Sequence, residues 1–205
     1  MILKRLFDVV ISSAGLILLS PVIAMAAAVV RVCLGPPALF RQTRIGHSDR
    51  PFEILKLRTM TSVVDQTGAL LGDEVRLSKC GRLLRRCSID ELPQLWNVIG
   101  GDMSLVGPRP LPARYLPRYT PYQRRRHSVR PGITGWAQVN GRNALTWEQR
   151  FDLDLWYVDH QSLWLDMKIL WLTVLKIIRR EGISQEGHAT MPEFVGSEAL
   201  EPRMK

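Results

Sequence analysis

Cysteine is scarce and poorly spaced for structural use. Cys33, Cys80 and Cys87 form an odd set in 205 residues, with no C-x-x-C pair, which argues against a disulfide framework and against a zinc site. Three packing thiols in a reducing, cytosol-facing domain fit that pattern. The four histidines, His47, His127, His160 and His188, lack the repeat spacing of a metal site and read as structural or surface residues. Acidic residues are also short, 19 against 28 Lys and Arg, for a formal charge of +9. That surplus attracts something anionic, whether nucleic acid, acidic lipid or a phosphorylated ligand. No nucleic-acid recognition motif or aromatic-interleaved basic stripe is present, so nucleic acid is not an expected partner. What the chain does have is 46% hydrophobic and 23% charged residues, enough for one domain with a sizeable core.

From Val9 to Val30 no residue is charged, a run of about 22 residues and long enough to cross a bilayer. Lys4 and Arg5 precede it, and Arg31, Arg41 and Arg44 follow it, so the positive-inside rule places both ends on the cytoplasmic side. Ser20-Pro21 supplies a break near the middle. Proline removes a backbone donor, and the serine hydroxyl is able to occupy the freed backbone group. A re-entrant helix over residues 1–34 reconciles the charges with the break. A straight spanning helix with a tolerated proline is the rival reading. A signal peptide fits less well, because no persuasive A-x-A site or later cysteine pairing is present.

Residues 35–205 are expected to form a compact cytosol-facing domain of mixed, helix-rich α/β class. A GPP linker leads into two short strands around a turn at Gly46 to Pro51, a β-hairpin. Lys56 and Arg58, two apart in the second strand, would share a face, either as paired cations or as a solvated edge. Residues 61–75 read as a polar loop. The run Arg124, Arg125, Arg126, His127, with Arg130 nearby, is assigned to anionic membrane lipid, since the hydrophobic anchor already puts the domain at a membrane. Two helices follow, over Trp147–His160 and Leu163–Arg180. The second is either interfacial, with Trp164 and Trp171 at headgroup depth, or a core helix.

The chemistry concentrates in residues 88–110, SIDELPQLWNVIGGDMSLVGPRP. Ser88 followed by Glu91 is a capping-box spacing that predicts Asp90 and Glu91 in the first turn of one helix. The positive end of that helix favours ionised carboxylates and attracts phosphate, or a metal bridging to it, so the pair suits nucleophile and metal ligand. Acids in a first turn more often only cap. Arg82, Arg85 and Arg86 at i, i+3 and i+4 give a basic face leading into the pair, with cations that would keep Asp90 ionised and bind diphosphate. Arg109 is held between Pro108 and Pro110, whose fixed φ values preorganise its guanidinium for phosphate.

Five blocks in order, FDVVISSAGLILLSP, FRQTRIG, LKLRTM, GRLLRRCSIDELPQLWNVIGGDMSLVGPRP and RPGITGWAQVNGRN, resemble the bacterial sugar transferase family of small monotopic phosphoglycosyl transferases. The resemblance covers nearly the whole chain. It implies an anchor kinked at Ser20-Pro21 and attack by Asp90 on the β-phosphate of a UDP-sugar, with release of UMP. Polyprenyl phosphate then takes the sugar phosphate from the enzyme. It further implies that Glu91, with Asp90, holds Mg²⁺. Arg109 and Arg142 bind phosphate, Pro108 to Pro110 border the uridine, and Gln138 and Asn140 are weaker contacts. The bacterial inner membrane is the implied location, and downstream glycosyltransferases are the implied next partners. The tail EGISQEGHATMPEFVGSE resembles that of members acting on diacetylated amino-sugar nucleotides, pointing to a donor of the UDP-diacetylbacillosamine type. The sequence leaves the sugar, the acceptor length and the oligomeric state open. A different class of reading, a non-enzymatic membrane-anchored scaffold that recruits an acidic partner through its basic surface, accounts for anchor and charge but not for the acidic pair beside a rigid arginine turn.

Overall fold

The computed structural model describes residues 2–141, 145–179 and 193–196. The chain begins with one long helix, α1 (Ile2–Leu34), followed by the antiparallel hairpin β1 (Leu39–Ile45) and β2 (Pro51–Leu57). Short helices α2 (Asp73–Arg76), α3 (Lys79–Arg86) and α4 (Gln94–Gly100) lead to β3 (Ser104–Val106). After α5 (Pro121–Arg124) comes β4 (Gly132–Thr134), then α6 (Trp136–Asn140), α7 (Trp147–Asp159) and α8 (Leu163–Arg179). The mixed, helix-rich α/β class and the hairpin are as the sequence indicates.

Pro21 lies inside α1. Its missing N–H would have bonded the Ile17 carbonyl, and the Ser20 hydroxyl donates to that carbonyl at 2.8 Å instead. The serine therefore satisfies the group that proline orphans. Both ends of α1 are fastened to the rest of the fold. Near its start, Arg5 donates to the Val98 and Ile99 carbonyls at the end of α4 at 2.5 and 2.7 Å. Lys4 reaches the Asp166 carboxylate on α8 at 2.5 Å, and buried Asp8 accepts from the Leu105 amide at 3.2 Å. Near its end, Ala26 and Val30 pack with Leu57 and Leu84 in a separate apolar cluster. The face turned away from the domain carries Leu3, Leu6, Val10, Ile17, Met25, Val29 and Val32, all exposed.

α8 divides the same way. Leu165 and Ile169 join the main core with Leu95, Val98, Met103, Val106 and Tyr157. Trp164, Met167, Trp171, Val174 and Ile178 recur every three or four residues and stay outside, with Trp164 78% and Trp171 64% exposed. The helix is thus a core helix on one face and an unpartnered apolar stripe on the other. Asp166 is buried and satisfied by Lys4 and by the Tyr157 hydroxyl at 2.6 Å.

β3 and β4 form a parallel pair that joins two distant sequence blocks, with Ser104 opposite Gly132 and Val106 opposite Thr134. The Gly107 amide donates to Thr134 O, and the Gly132 amide to Pro108 O. A Cβ on Gly132 would fall 2.1 Å from Gly107 N and 2.3 Å from Thr134 O, so only glycine permits this approach.

The basic run 124–127, assigned above to lipid, is paired with carboxylates of the domain. Arg126 is fully buried, donates to Asp154 at 2.6 Å and holds the Arg109 carbonyl at 2.7 Å. Arg124 pairs with Asp49 at 2.7 Å, Arg125 with Asp159, and His127 Nδ1 lies 2.5 Å from Asp49. Burial and the neighbouring Arg126 charge pull His127 down to about 4, so at neutral pH it is an uncharged imidazole donating to the carboxylate. Arg126 and His127 are buried, while the Arg124 and Arg125 side chains stay 58% and 48% exposed. Arg126→Met strands the Asp154 carboxylate and frees the Arg109 backbone. The expected loss is about 3–5 kcal/mol of stability, measured as a fall in detergent-state melting temperature against wild type.

The tail reaches back onto the domain. Phe194 is completely buried among Leu111, Tyr115 and Phe151, and Glu193 pairs with Arg114 and Arg118 at 3.2 and 2.9 Å.

Candidate active site

Asp90 and Glu91 lie on a 3-10 turn, Ile89–Glu91, rather than inside the first turn of a long helix. The expected capping box does not form: Ser88 adopts φ 55, ψ 20, and its side chain caps nothing. Pro93 instead precedes α4 as its flanking residue. A left-handed Ser88 turns the chain sharply after α3, which swings the two carboxylates apart in environment although they are neighbours in sequence.

Glu91 is the structured one. Its Oε1 accepts from Lys56 Nζ at 2.7 Å and from Arg109 Nη2 at 2.6 Å. Burial alone would raise its pKa, but the Arg109 and Lys56 charges outweigh it and hold the carboxyl well below the usual range. Lys56 is itself lowered by burial, partly offset by Glu91. Asp90 is the opposite case. It is 6% exposed, and none of the described residues hydrogen-bonds its carboxylate. Burial, then the Glu91 charge, raise its pKa, against the pull of Lys56, Arg85 and Arg109. The flanking cations do pull Asp90 toward its ionised form, as the sequence suggests, while burial and Glu91 set the direction of the net shift. A nearly buried, unpaired carboxylate beside a cationic cluster is an activated group in search of a partner.

The remaining sequence candidates separate by position. Arg85 is half-buried and donates to Thr59 Oγ1 at 3.1 Å, while Arg82 and Arg86 are exposed. Gly81 makes this possible, since a Cβ there would lie 1.9 Å from Thr59 O. Pro108 and Pro110 are buried and Arg109 is half-buried between them, as a preorganised turn requires. Arg58 is not at the carboxylates. β2 ends at Leu57, so strand alternation stops before Arg58, and its guanidinium caps the end of α1 at the Leu34, Gly35 and Pro36 carbonyls. Gln138 lines an apolar cleft of about 170 Å³ that also contains Glu91, Leu92, Leu95, Thr134 and Thr173. Its Nε2 donates to Ile133 O at 2.9 Å, while its Oε1 is buried without a partner. Asn140 donates to Trp136 O and is exposed. Arg142 lies outside the described residues.

Arg44 and Gln94 are additions that the motif reading did not place. With Lys56, Arg109 and Pro110 they enclose a pocket of about 10 Å³ behind Glu91, into the range of a single water. Arg44 Nε and Gln94 Nε2 are buried donors without partners. Burial and Arg109 bring Arg44 down to about 10. Arg44 sits in the FRQTRIG block, the signal that could have marked it.

Among the described residues there is no group of three or more His, Cys, Asp or Glu able to hold a metal. Asp90 and Glu91 alone still fit Mg²⁺, which is commonly bound through one or two carboxylates with water and substrate phosphate completing the shell. Glu91 would have to offer Oε2, which accepts only a long 3.5 Å contact from Arg109 Nη1, because Oε1 already takes Lys56 and Arg109 at 2.7 and 2.6 Å.

Long unpartnered apolar helix faces and an unpaired buried carboxylate near Lys56, Arg85 and Arg109 thus occur in one domain. The chain belongs to the bacterial sugar transferase family, whose model matches residues 1–180. It is 57% identical over 197 residues to an uncharacterized sugar transferase, EpsL, of Bacillus subtilis, covering 96% of this chain and 98% of that protein. It is 40% identical to the UDP-glucose:undecaprenyl-phosphate glucose-1-phosphate transferase of Klebsiella pneumoniae, over 86% of this chain and 40% of that one. It is 36% identical to a UDP-N-acetylgalactosamine-undecaprenyl-phosphate N-acetylgalactosaminephosphotransferase of Aeromonas hydrophila, over 86% of this chain and 44% of that one. The chain thus spans less than half the length of the latter two relatives.

Proposed function

We propose that this protein is a phosphoglycosyl transferase that moves a sugar-1-phosphate from a UDP-sugar to undecaprenyl phosphate, with Asp90 as nucleophile. The observation that carries the reading is the unpaired, nearly buried Asp90 carboxylate beside Lys56, Arg85 and Arg109. An Asp90 oxygen attacks the β-phosphorus of the donor. The bond from that phosphorus to the bridging oxygen breaks, and UMP leaves with the electron pair. A phosphate oxygen of the polyprenyl acceptor then attacks the aspartyl phosphosugar, which releases the Asp90 carboxylate and forms polyprenyl-diphosphate-sugar. Arg109 and Arg85 meet the phosphate charge, and Lys56 fixes Glu91. Mg²⁺, held by Asp90 and Glu91, would supply charge neutralisation between carboxylate and diphosphate. Arg142 is a further phosphate contact and Pro108 to Pro110 a border for uridine.

The donor we infer is an N-acetylated amino sugar of the diacetylbacillosamine type, on the strength of the tail. The Aeromonas relative's name supports an acetamido sugar, and the Klebsiella relative's name makes glucose the competing donor. A panel of UDP-sugars scored by UMP release decides among them.

Placement at the bacterial inner membrane, with a re-entrant α1 and a cytosolic catalytic domain, belongs to the same reading. It is supported by the fastening of both ends of α1 to one domain and by the Ser20-Pro21 pair inside that helix, where the serine takes the carbonyl that proline orphans. Replacing both residues with alanine restores the Ile17 hydrogen bond to a backbone amide and should straighten the helix. The expected result is an N-terminal cysteine tag that becomes accessible from the periplasm. In wild type the tag is labelled only from the cytosol, and periplasmic labelling of wild type would contradict re-entry.

pH dependence follows from the raised Asp90 pKa. The nucleophile is the deprotonated form, so activity should fall on the acid side at a pH above the ordinary aspartate value of 3.8. A rate profile of the donor half-reaction checks this, and a profile flat down to that value would contradict it.

A further inference from the structure

A cavity away from the carboxylates lies where α1 begins. Its volume is about 370 Å³, and Lys4, Arg5, Asp8, Arg130, His47 and Ser162 are among its lining residues. Leu3, Val129 and Leu163 supply its apolar lining, and Ile2, Leu6 and Trp164, next in sequence to lining residues, are exposed. The cavity therefore opens at the level of the unpartnered faces of α1 and α8.

Its charges are unevenly spent. Asp8 is satisfied by the Leu105 amide and lies 3.9 Å from Lys4. Asp166, behind the wall, is satisfied by Lys4 and Tyr157. Arg5 uses one hydrogen of each terminal nitrogen on α4 carbonyls, which leaves the other hydrogens free. Arg130 uses only Nε, to Gly101 O at 2.9 Å, and its terminal nitrogens have no partner among the described residues. The His47 ring meets only the Ser48 hydroxyl, at 3.2 Å. Two guanidinium groups with donors to spare thus line a roomy polar cavity whose lip is hydrophobic. A free anion would need no such lip.

We propose that this cavity holds the phosphate headgroup of an anionic phospholipid, with Arg130 and Arg5 on the phosphate and the acyl chains lying along Leu3, Leu6 and Trp164. It is separate from Asp90 and fixes how the foot of α1 and the start of α8 sit at the membrane surface.

The probes are dihexanoyl phosphatidylglycerol, dihexanoyl phosphatidylcholine and inorganic phosphate, titrated below micelle formation against detergent-purified full-length protein by native mass spectrometry. The expected result is one phosphatidylglycerol bound per chain, at least tenfold tighter than phosphatidylcholine. Arg130→Gln should weaken it about tenfold, with Arg130→Lys intermediate. Gln161→Glu adds a carboxylate to the cavity wall, where Gln161 makes only a 3.4 Å contact to Tyr157. It should weaken binding as much, and it serves where Arg130→Gln alters the fold. Phosphate that binds as tightly as the lipid and displaces it would overturn the lipid assignment in favour of a free-anion site. Equal binding of both lipids, or no effect of either variant, would overturn the site.

Discussion

Asp90→Asn should lower sugar-1-phosphate transfer by at least about 10³-fold while leaving the protein as stable as wild type or more so. The two halves of this result come from one cause. Asp90 is nearly buried and unpaired, and its folded-state pKa lies above the ordinary aspartate value. A carboxyl that holds its proton more tightly when folded stabilises the fold most at low pH. That contribution is lost as pH rises from 3.8 through the folded value, leaving a deficit at neutral pH. Asparagine keeps the shape and removes the charge, so the deficit disappears together with the nucleophile. Glu91 has the opposite sign. Its pKa is depressed, so its contribution is full above the ordinary glutamate value of 4.5 and is lost as pH falls below it. Glu91→Gln should therefore destabilise at pH 7, leaving Lys56 and Arg109 uncompensated, and the difference from wild type should shrink in acid. Melting temperatures of the two variants from about pH 8 down to about pH 2, read beside UMP release, separate a catalytic carboxylate from a structural one. A stable Asp90→Asn protein that retains substantial activity would remove Asp90 from the mechanism. In a scaffold that only recruits an acidic partner, nothing would explain a buried carboxylate kept unpaired.

The second large effect is structural. Gly132→Ala should abolish folding, because the new Cβ meets only backbone: Gly107 N at 2.1 Å, Thr134 O at 2.3 Å and Gly107 O at 2.7 Å. None of these atoms can rotate away, and all belong to the β3–β4 pairing that positions Pro108, Arg109 and Pro110. The cost should exceed about 4 kcal/mol, a large part of the 5–15 kcal/mol by which domains are typically stable. Gly72→Ala is the control, since nothing lies within 4 Å of its Cβ. Detergent-extracted yield and melting temperature should collapse for the first and stay at wild-type values for the second.

Much of this was legible in the chain. The hairpin, the two long C-terminal helices and the apolar anchor follow from local periodicity and turn residues, which act over a few positions. The Ser20 hydroxyl on the Ile17 carbonyl is similarly local. The site was legible as a set of residues but not as an arrangement. Nothing in the spacing of Ser88 and Glu91 reveals that Ser88 turns left-handed, so a helix cap was expected where a sharp turn forms. Arg58 followed the strand period one residue past the strand's end. The 124–127 run was assigned to lipid without its carboxylate partners, Asp49, Asp154 and Asp159, because they are distant in sequence. The parallel β3–β4 pair joins blocks separated by more than two dozen residues, and only that pairing shows why the two glycine-containing motifs belong to one site.

The covalent step is tested most directly by mixing detergent-purified protein with the UDP-sugar and Mg²⁺ in the absence of acceptor, then recording intact mass and UMP together. The expected result is one UMP released per protein, a mass gain equal to the sugar phosphate that maps to Asp90, and loss of that adduct when polyprenyl phosphate is added. UMP that forms only once the acceptor is present, with no adduct at any time, would contradict it and place the transfer in a single ternary complex.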